Sequence, residues 1–225
     1  MKNTSFFQLV KNLLSPQAAP VAVSFDNWLG DGAQGTFVAK AKDFPEGRFD
    51  LAVMLFSGPW SRKLRQARRC LCAYLGSLGP VFGWKVFWYR LAGVIIGRNV
   101  CLAPGVVLDM LTPQIISIGD EAVLGMGSMI NSHLYTPERI FFGRVQIGEY
   151  GVVGARAMVG NSVTVEPHGV IGSLSFFFNG VVPERALAIG VPAVIRLKEE
   201  RRSAEEPGPE PALDISQKSG EDYGN

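Results

Sequence analysis

The middle of the chain has an aliphatic residue at every sixth position. This period starts at Ile96, restarts at Ile118 and restarts again at Ile147. The eleven residues concerned are Ile96, Leu102, Leu108, Ile118, Leu124, Ile130, Ile147, Val153, Val159, Val165 and Ile171. Glycine follows seven of the eleven, and a small residue or valine stands four positions after ten of them. Neither an amphipathic helix nor an alternating strand has this period.

A six-residue period of this kind predicts a left-handed parallel β-helix. Three units make one triangular coil, so the aliphatic side chains stack inside a narrow prism. Successive coils lie at the parallel-strand spacing of about 4.8 Å. Small residues let the backbone turn at the corners, and glycine adopts strained angles at little cost. We therefore predict a mainly β fold in which the repeat runs from residue 96 to about residue 177.

The repeat divides the chain into three parts. Residues 1–95 are predicted to form an N-terminal α/β region of helices and a hairpin, and residues 96–198 the β-helix domain. Residues 199–225 are polar and rich in proline and glutamate. Such a composition cannot bury enough apolar surface to fold, so we predict a disordered tail.

The N-terminal region contains four weaker patterns. Residues 6–14 suit a short amphipathic helix, and residues 36–56 suit a β-hairpin with its turn at residues 45–47. Residues 61–77 begin with basic residues and then become apolar, which predicts a helix with one basic end. Residues 85–91 predict a second helix that leads into the repeat.

The repeat is interrupted twice, each time after the third unit of a coil. Four extra residues, 114–117, follow the first coil, and eleven, 136–146, follow the second. Both insertions therefore leave the prism at the same corner and lie over each other. Because binding and catalytic groups are often carried by loops on a rigid scaffold, we expect a site at this corner.

Two side chains at this corner are candidates for catalysis. His133 precedes the longer insertion, and an imidazole suits a general base because its pKa lies near neutral pH. Asp109 lies one coil below Asn131 and could orient the imidazole or hold an acceptor hydroxyl. The alternatives are a surface histidine without function and an acidic residue that is merely tolerated, as Glu166 is. His168 lies in a plain turn and is predicted to be exposed.

Composition narrows the class of protein. The 225 residues carry a net charge of +2 with 47% hydrophobic and 19% charged residues, which is typical of a globular chain. The nearly balanced charge argues against a nucleic-acid binder. Cys70, Cys72 and Cys101 lack the spacing of a metal site and indicate a reduced, cytoplasmic setting. No signal peptide is recognised, and no apolar stretch reaches the roughly 20 residues of a membrane span.

Three segments resemble the hexapeptide-repeat acyltransferases. They are the lead-in at residues 88–97, the Ser132-His133 pair before the protruding loop, and the exit at residues 190–196. The resemblance covers residues 88–198, nearly half of the chain, and is to the branch that acetylates sugars and related hydroxyl acceptors. It implies a homotrimer that binds acetyl-CoA, or another acyl-CoA, as a co-substrate between neighbouring prisms. His133 would then deprotonate the acceptor hydroxyl, which attacks the thioester directly.

The same resemblance implies contacts with coenzyme A. Ala155 and Ser173 match positions that meet the pantetheine arm, and Asn179 matches a further CoA-contacting position. Arg196 and Lys198 are the closing basic residues, displaced from the family's register.

Two other departures concern Val152, where the family frequently has tryptophan, and Asp109-Met110, where serine acetyltransferases have Asp-His. The second departure disfavours serine as the acceptor.

The function implied is O-acyl transfer to a sugar, a polysaccharide intermediate or a lipid-linked intermediate. Two alternatives remain open at this point, namely a non-catalytic β-helix for assembly or docking and N-acyl transfer to an amino-sugar. The basic cluster at residues 62–69 next to the apolar residues 70–84 allows peripheral membrane contact through residues 61–95. A subdomain packed on the prism explains the same pattern.

Overall fold

The computed structural model describes residues 20–44, 51–79 and 82–197. The predicted N-terminal helix over residues 6–14, the predicted turn at residues 45–47, Lys198 and the predicted tail lie outside these ranges. No helix in the described ranges is both long enough and apolar enough to cross a membrane.

Helices dominate the described part of the chain that precedes the prism. In chain order its elements are α1 (Pro20–Gly30), β1 (Thr36–Lys40), α2 (Leu51–Phe56), α3 (Trp60–Leu78) and α4 (Phe82–Ala92). The helices predicted over residues 61–77 and 85–91 are confirmed by α3 and α4. The predicted hairpin over residues 36–56 is wrong, because its second strand is the helix α2. A short continuous apolar run such as that of α2 does not distinguish a helix from a strand by its period.

Three sheets of short, mainly parallel strands form the walls of a triangular prism, and each coil contributes to faces 1, 2 and 3 in turn. Face 1 contains β2 (Ile95–Ile96), β5 (Ile116–Ile118), β10 (Val145–Ile147), β13 (Val163–Val165) and β16 (Gly180–Val182). Face 2 contains β3 (Cys101–Leu102), β6 (Val123–Leu124), β11 (Val152–Val153), β14 (Val170–Ile171), β17 (Leu187–Gly190) and β18 (Ala193–Arg196). Face 3 contains β4 (Val107–Leu108), β7 (Met129–Ile130), β12 (Met158–Val159) and β15 (Phe176–Phe177).

The predicted aliphatic stack is the core of this prism. All eleven residues of the repeat are buried, and none is more than 8% exposed. The register places equivalent residues over each other, as in the column Ile96, Ile118, Ile147 and Val165. The structure thus confirms the left-handed β-helix. The stack is also longer than the sequence repeat, because coils continue through β16 and β17.

The glycines after the aliphatic positions are required by close approach rather than by unusual backbone angles. A Cβ on Gly119 would lie 2.7 Å from the backbone nitrogen of Glu149, and one on Gly125 would lie 2.5 Å from that of Ala155. Neither glycine has a positive φ. The left-handed angles occur instead three residues after the aliphatic position, at residues with side chains such as Glu121 and at Gly105 and Gly127. The expectation that glycine adopts strained angles is therefore wrong for the glycines directly after the aliphatic positions, and it holds at the corners for Gly105 and Gly127.

Helices α3 and α4 cover the first coil. Tyr89 of α4 is fully buried, donates a hydrogen bond to the carbonyl of Val106 at 3.3 Å, and accepts one from the Leu108 amide at 3.1 Å. Lys85 is also buried and donates to the carbonyls of Gly76, Ser77 and Val106. These bonds join both helices to the start of the prism.

A second small core joins the N-terminal elements to the longer insertion. Phe25 of α1 packs on Phe37 of β1 and on Phe142, with ring centroids 5.3 Å and 4.8 Å apart. Arg62 of α3 donates to the carbonyls of Met54, Leu55 and Ser57 at the end of α2, and pairs with Asp26 of α1 at 2.7 Å. The helices before the prism are thereby held in place by both apolar and charged contacts.

Candidate active site

Both insertions leave the prism between faces 3 and 1, as predicted, and we name this edge the insertion corner. The first insertion begins within a 3-10 helix, Pro113–Ile115. The second is a hairpin of β8 (His133–Tyr135) and β9 (Arg139–Gly143). Strand β1 pairs with the free edge of β9, in a register that aligns Thr36 with Gly143. The protruding hairpin is therefore one part of a three-stranded antiparallel sheet.

Asp109 connects the two insertions through its carboxylate. Its side chain is 1% exposed and directly follows β4. One carboxylate oxygen accepts the amide hydrogen of Leu111 at 2.8 Å, three residues before the first insertion. The other accepts the amide and the hydroxyl of Ser132, at 2.9 Å and 2.7 Å. The Ser132 hydroxyl is also 2.7 Å from that of Thr112, so the insertions are joined at their bases.

His133 is the next contact of the same carboxylate. Its Nδ1 lies 2.5 Å from Oδ2 of Asp109, and its side chain is 25% exposed. An ionised carboxylate only accepts hydrogen bonds, so Nδ1 carries the shared proton. The neutral ring then has its lone pair on Nε2. The imidazole also lies against Phe142, with centroids 6.0 Å apart. This arrangement orients a base whose free nitrogen can accept a proton.

The pair shifts the pKa of both of its members. Burial alone raises the pKa of Asp109, but hydrogen bonds from His133, Ser132 and the Leu111 amide outweigh it, and the pKa is lowered. For His133 burial lowers the pKa, while the bond to Asp109 and its negative charge raise it above the ordinary value of 6.5. The carboxylate is therefore ionised near neutral pH, and the imidazole holds a second proton more strongly than a free histidine does.

The residues matched to CoA contacts lie elsewhere on the same chain. Ala155 and Ser173 are exposed and lie one coil apart at the corner between faces 2 and 3, where the Leu174 amide donates to the carbonyl of Ala155. Arg196 is exposed on β18, at the far end of face 2. The chain thus brings Asp109 to His133 but does not bring Ala155, Ser173 or Arg196 to them.

Asn179 lies on the insertion corner, two coils beyond His133. It is exposed, and it lines a cleft of about 550 Å³ between the loop before β1 and face 1. Arg144, Gln146 and Thr164 provide much of the polar lining of this cleft. Neither Asp109 nor His133 lines it, so the cleft and the Asp109–His133 pair are separate features of one side of the molecule.

Two further observations concern the sequence predictions. His168 is exposed, as predicted, and its ring stacks on Tyr150 with centroids 4.9 Å apart. The sequence analysis did not identify Ser132 and Thr112 as site residues, although Ser132 donates to the Asp109 carboxylate and Thr112 contacts Ser132. Their positions could have indicated it, because both residues follow the third aliphatic residue of a coil and precede an insertion.

Comparisons with known proteins agree with this architecture. No family model matches the chain. The chain is 31% identical over 109 residues to the Delta-poly-L-ornithine synthetase of Acinetobacter baumannii (strain AB307-0294). That match covers 48% of this chain and only 8% of the much longer synthetase. It is also 26% identical over 139 residues to the Putative acetyltransferase YvoF of Bacillus subtilis (strain 168), over 61% of this chain and 80% of YvoF.

A solved structure shares the fold. The hexapeptide-repeat-containing acetyltransferase of Vibrio cholerae superposes with a TM-score of 0.50 at 17% identity, over 60% of this chain and 90% of that protein. A second structure of that enzyme, in complex with acetyl-coenzyme A, gives the same TM-score. The predicted resemblance is confirmed, and the chain has the left-handed β-helix fold of the hexapeptide-repeat acetyltransferases.

Proposed function

We propose that the protein is a CoA-dependent O-acyltransferase, with acetyl-CoA as donor and a hydroxyl group of a sugar, a polysaccharide intermediate or a lipid-linked intermediate as acceptor. The observation that carries the proposal is the contact between the buried Asp109 and the half-buried His133 at the insertion corner. The acetyl-CoA complex of the Vibrio cholerae enzyme supports the choice of donor.

The chemistry follows from the orientation of the imidazole. Nε2 of His133 takes the proton of the acceptor hydroxyl while the oxygen attacks the thioester carbonyl. A carbon–oxygen bond forms and the carbon–sulfur bond breaks, and the CoA sulfur leaves with the proton returned by the imidazolium. Asp109 is a positioning residue, because its carboxylate holds the ring by Nδ1 and stabilises the imidazolium charge.

The complete site requires a second copy of the chain. Ala155 and Ser173, proposed here to contact the pantetheine arm, lie on a different corner from His133. In a closed homotrimer, the insertion corner of one copy faces the corner with Ala155 and Ser173 of the next copy. Asn179 and Arg196, together with Lys198, are proposed to contact the rest of coenzyme A.

Ligand binding and acyl transfer test the proposal in two steps. Acetyl-CoA at 100 times its dissociation constant should stabilise the protein by about 2.7 kcal/mol in a thermal-shift assay, and longer acyl-CoAs test the acyl group. Release of free CoA thiol is then measured with hydroxyl sugars and, separately, with amino-sugars. Turnover only with amino-sugars would replace O-acyl by N-acyl transfer. No stabilisation by any acyl-CoA would favour the non-catalytic alternative.

A further inference from the structure

One line of exposed positions on α3 is apolar from the first residue of the helix to the last. Five large apolar side chains project from it, each between 49% and 66% exposed: Trp60, Leu64, Leu71, Tyr74 and Leu78. Their separations of four, seven, three and four residues place them on one side of a helix. At 1.5 Å per residue this apolar stripe is about 27 Å long. The opposite side of α3 is buried, and no segment that the structure describes covers the stripe.

Helix α4 extends the apolar stripe into a broader surface. Trp84, Phe87 and Leu91 are exposed on α4. The indole of Trp84 donates to the carbonyl of Leu75 in α3 at 2.9 Å, so the exposed residues of the two helices adjoin. We name these eight residues the α3–α4 surface. Tryptophan and tyrosine are enriched where a protein meets the boundary between lipid and water, because their rings are apolar with one polar atom.

Charge is distributed very unevenly around this surface. Residues 51–108 contain eight lysines and arginines and no aspartate or glutamate, although the whole chain has a net charge of only +2. Several of the eight are used inside the fold, among them Arg62 and Lys85. Arg65 and Arg68 are exposed on α3, next to the apolar stripe. The surroundings of the surface are therefore basic, with no acidic residue from either helix.

We propose that the α3–α4 surface binds the anionic face of a phospholipid bilayer. An apolar stripe with interfacial aromatics and flanking arginines is the pattern of a helix that lies in the plane of a membrane surface. Lipid tails would cover the stripe while Arg65 and Arg68 meet lipid phosphates. A symmetric contact with a second copy is disfavoured, because it would set these arginines against each other with no acidic partner from α3 or α4.

Helix α3 links the α3–α4 surface to the candidate site through its buried side. Gln66, on the buried side of this helix, donates to the carbonyl of Leu111 at 2.6 Å. The amide of Leu111 in turn donates to Asp109. A helix resting on a bilayer would therefore hold the insertion corner close to lipid. An acceptor carried on a lipid fits this arrangement, and that last step rests on the proposed function.

Vesicle co-sedimentation of the full-length protein tests the proposal. We expect sedimentation with vesicles of phosphatidylcholine mixed with phosphatidylglycerol, weaker sedimentation with phosphatidylcholine alone, and a loss of the difference at high salt. The double variant Leu64→Glu/Leu71→Glu should abolish sedimentation. Arg65→Gln/Arg68→Gln should lower the partition coefficient about thirtyfold, which corresponds to about 1 kcal/mol for each arginine. Val194→Glu, at an exposed site on β18, is the matched control and should bind as the wild type does.

Contrary outcomes overturn the proposal. It is wrong if the wild type sediments with neither type of vesicle, or if Leu64→Glu/Leu71→Glu sediments unchanged. If the wild type does not bind vesicles and the glutamate variant has a lower molar mass than the wild type in light scattering, the α3–α4 surface instead forms contacts between copies of the chain. The arginine variant keeps the apolar stripe, so binding can be tested even if the glutamate variant unfolds, which circular dichroism would show. Sedimentation needs no acyl transfer, so it separates this proposal from the proposed function.

Discussion

Asp109 and His133 are in contact through a carboxylate oxygen and Nδ1 at 2.5 Å, although they lie 24 positions apart in the sequence. The separation equals one coil, the four residues of the first insertion and two further positions within the third unit. Stacking of coils therefore creates the contact, and the insertions close around it.

Replacement of the proposed base should reduce acyl transfer strongly. We expect His133→Ala to lower kcat by at least about 10²-fold, because positioned acid–base groups usually contribute about 10²–10⁴-fold. The measurement is acyl-CoA consumption with an active acceptor, and acetyl-CoA binding should survive. His168→Ala is the matched control and should leave kcat unchanged, since His168 is exposed and remote from both insertions. Retention of most activity by His133→Ala would exclude this mechanism.

The pH profile should reveal the influence of Asp109 on the base. Only the neutral imidazole accepts a proton, so activity is lost as the pH falls through the pKa of His133, which Asp109 raises above 6.5. Asp109→Asn removes the negative charge and should move this acidic limb to lower pH, with a reduced kcat. Asp120→Asn, which removes the partner of the exposed Arg98, is the control. If the acidic limb of Asp109→Asn lies at the same pH as that of the wild type, the carboxylate does not have this positioning role.

A site shared between copies can be tested by complementation. His133→Ala and Ser173→Tyr alter two different corners, so each variant should be inactive by itself. If the trimer is formed and the site lies between copies, trimers reassembled from a mixture contain some sites with both corners intact. We therefore expect partial recovery of acyl-CoA consumption after co-refolding, and a molar mass of about three chains in light scattering. A monomeric mass, or no recovery in mixed trimers, would contradict the shared site.

The spacing between coils should make one glycine very sensitive to substitution. A methyl group on Gly125 would lie 2.5 Å from the backbone nitrogen of Ala155. Gly125→Ala should therefore lower the free energy of unfolding by about 1–3 kcal/mol, as overpacking of a dense core does. Gly30→Ala is the matched control, because nothing lies within 4 Å of a Cβ there. Equal unfolding midpoints of the two variants in urea would show that the coils can separate at little cost.

The sequence predicts the prism well because its information is local and repeated. Each aliphatic residue, such as Leu124, faces the core because it has the same position in its six-residue unit as its neighbours one coil away. The position of both insertions follows by counting units, and so does the closeness of Asp109 to the residues before the longer loop. The burial of the carboxylate and its bonds to Ser132 depend on how the insertions fold, which the period does not specify.

The N-terminal elements are predicted less well because their structure depends on distant partners. Among the described residues, no other strand lies near β1 in the sequence, and β1 pairs with β9, about a hundred residues later. The local sequence around β1 therefore contains no hairpin pattern that predicts this pairing. The run at residues 51–56 is short and wholly apolar, and it is a helix that ends where Arg62 of α3 binds its last carbonyls. Local pattern alone contains neither of these contacts.

Strand β18 runs antiparallel to β17 and ends the stack on face 2. A parallel β-helix whose ends are uncovered exposes strand edges with unpaired backbone groups. The same edges of other molecules could pair with them and extend the sheet from molecule to molecule. Helices α3 and α4 close the first coil, and the reversal at β18 occupies one edge of the last. The molecule therefore restricts end-to-end polymerisation into fibres, and removal of residues from 191 onward would free the edge of β17 for growth.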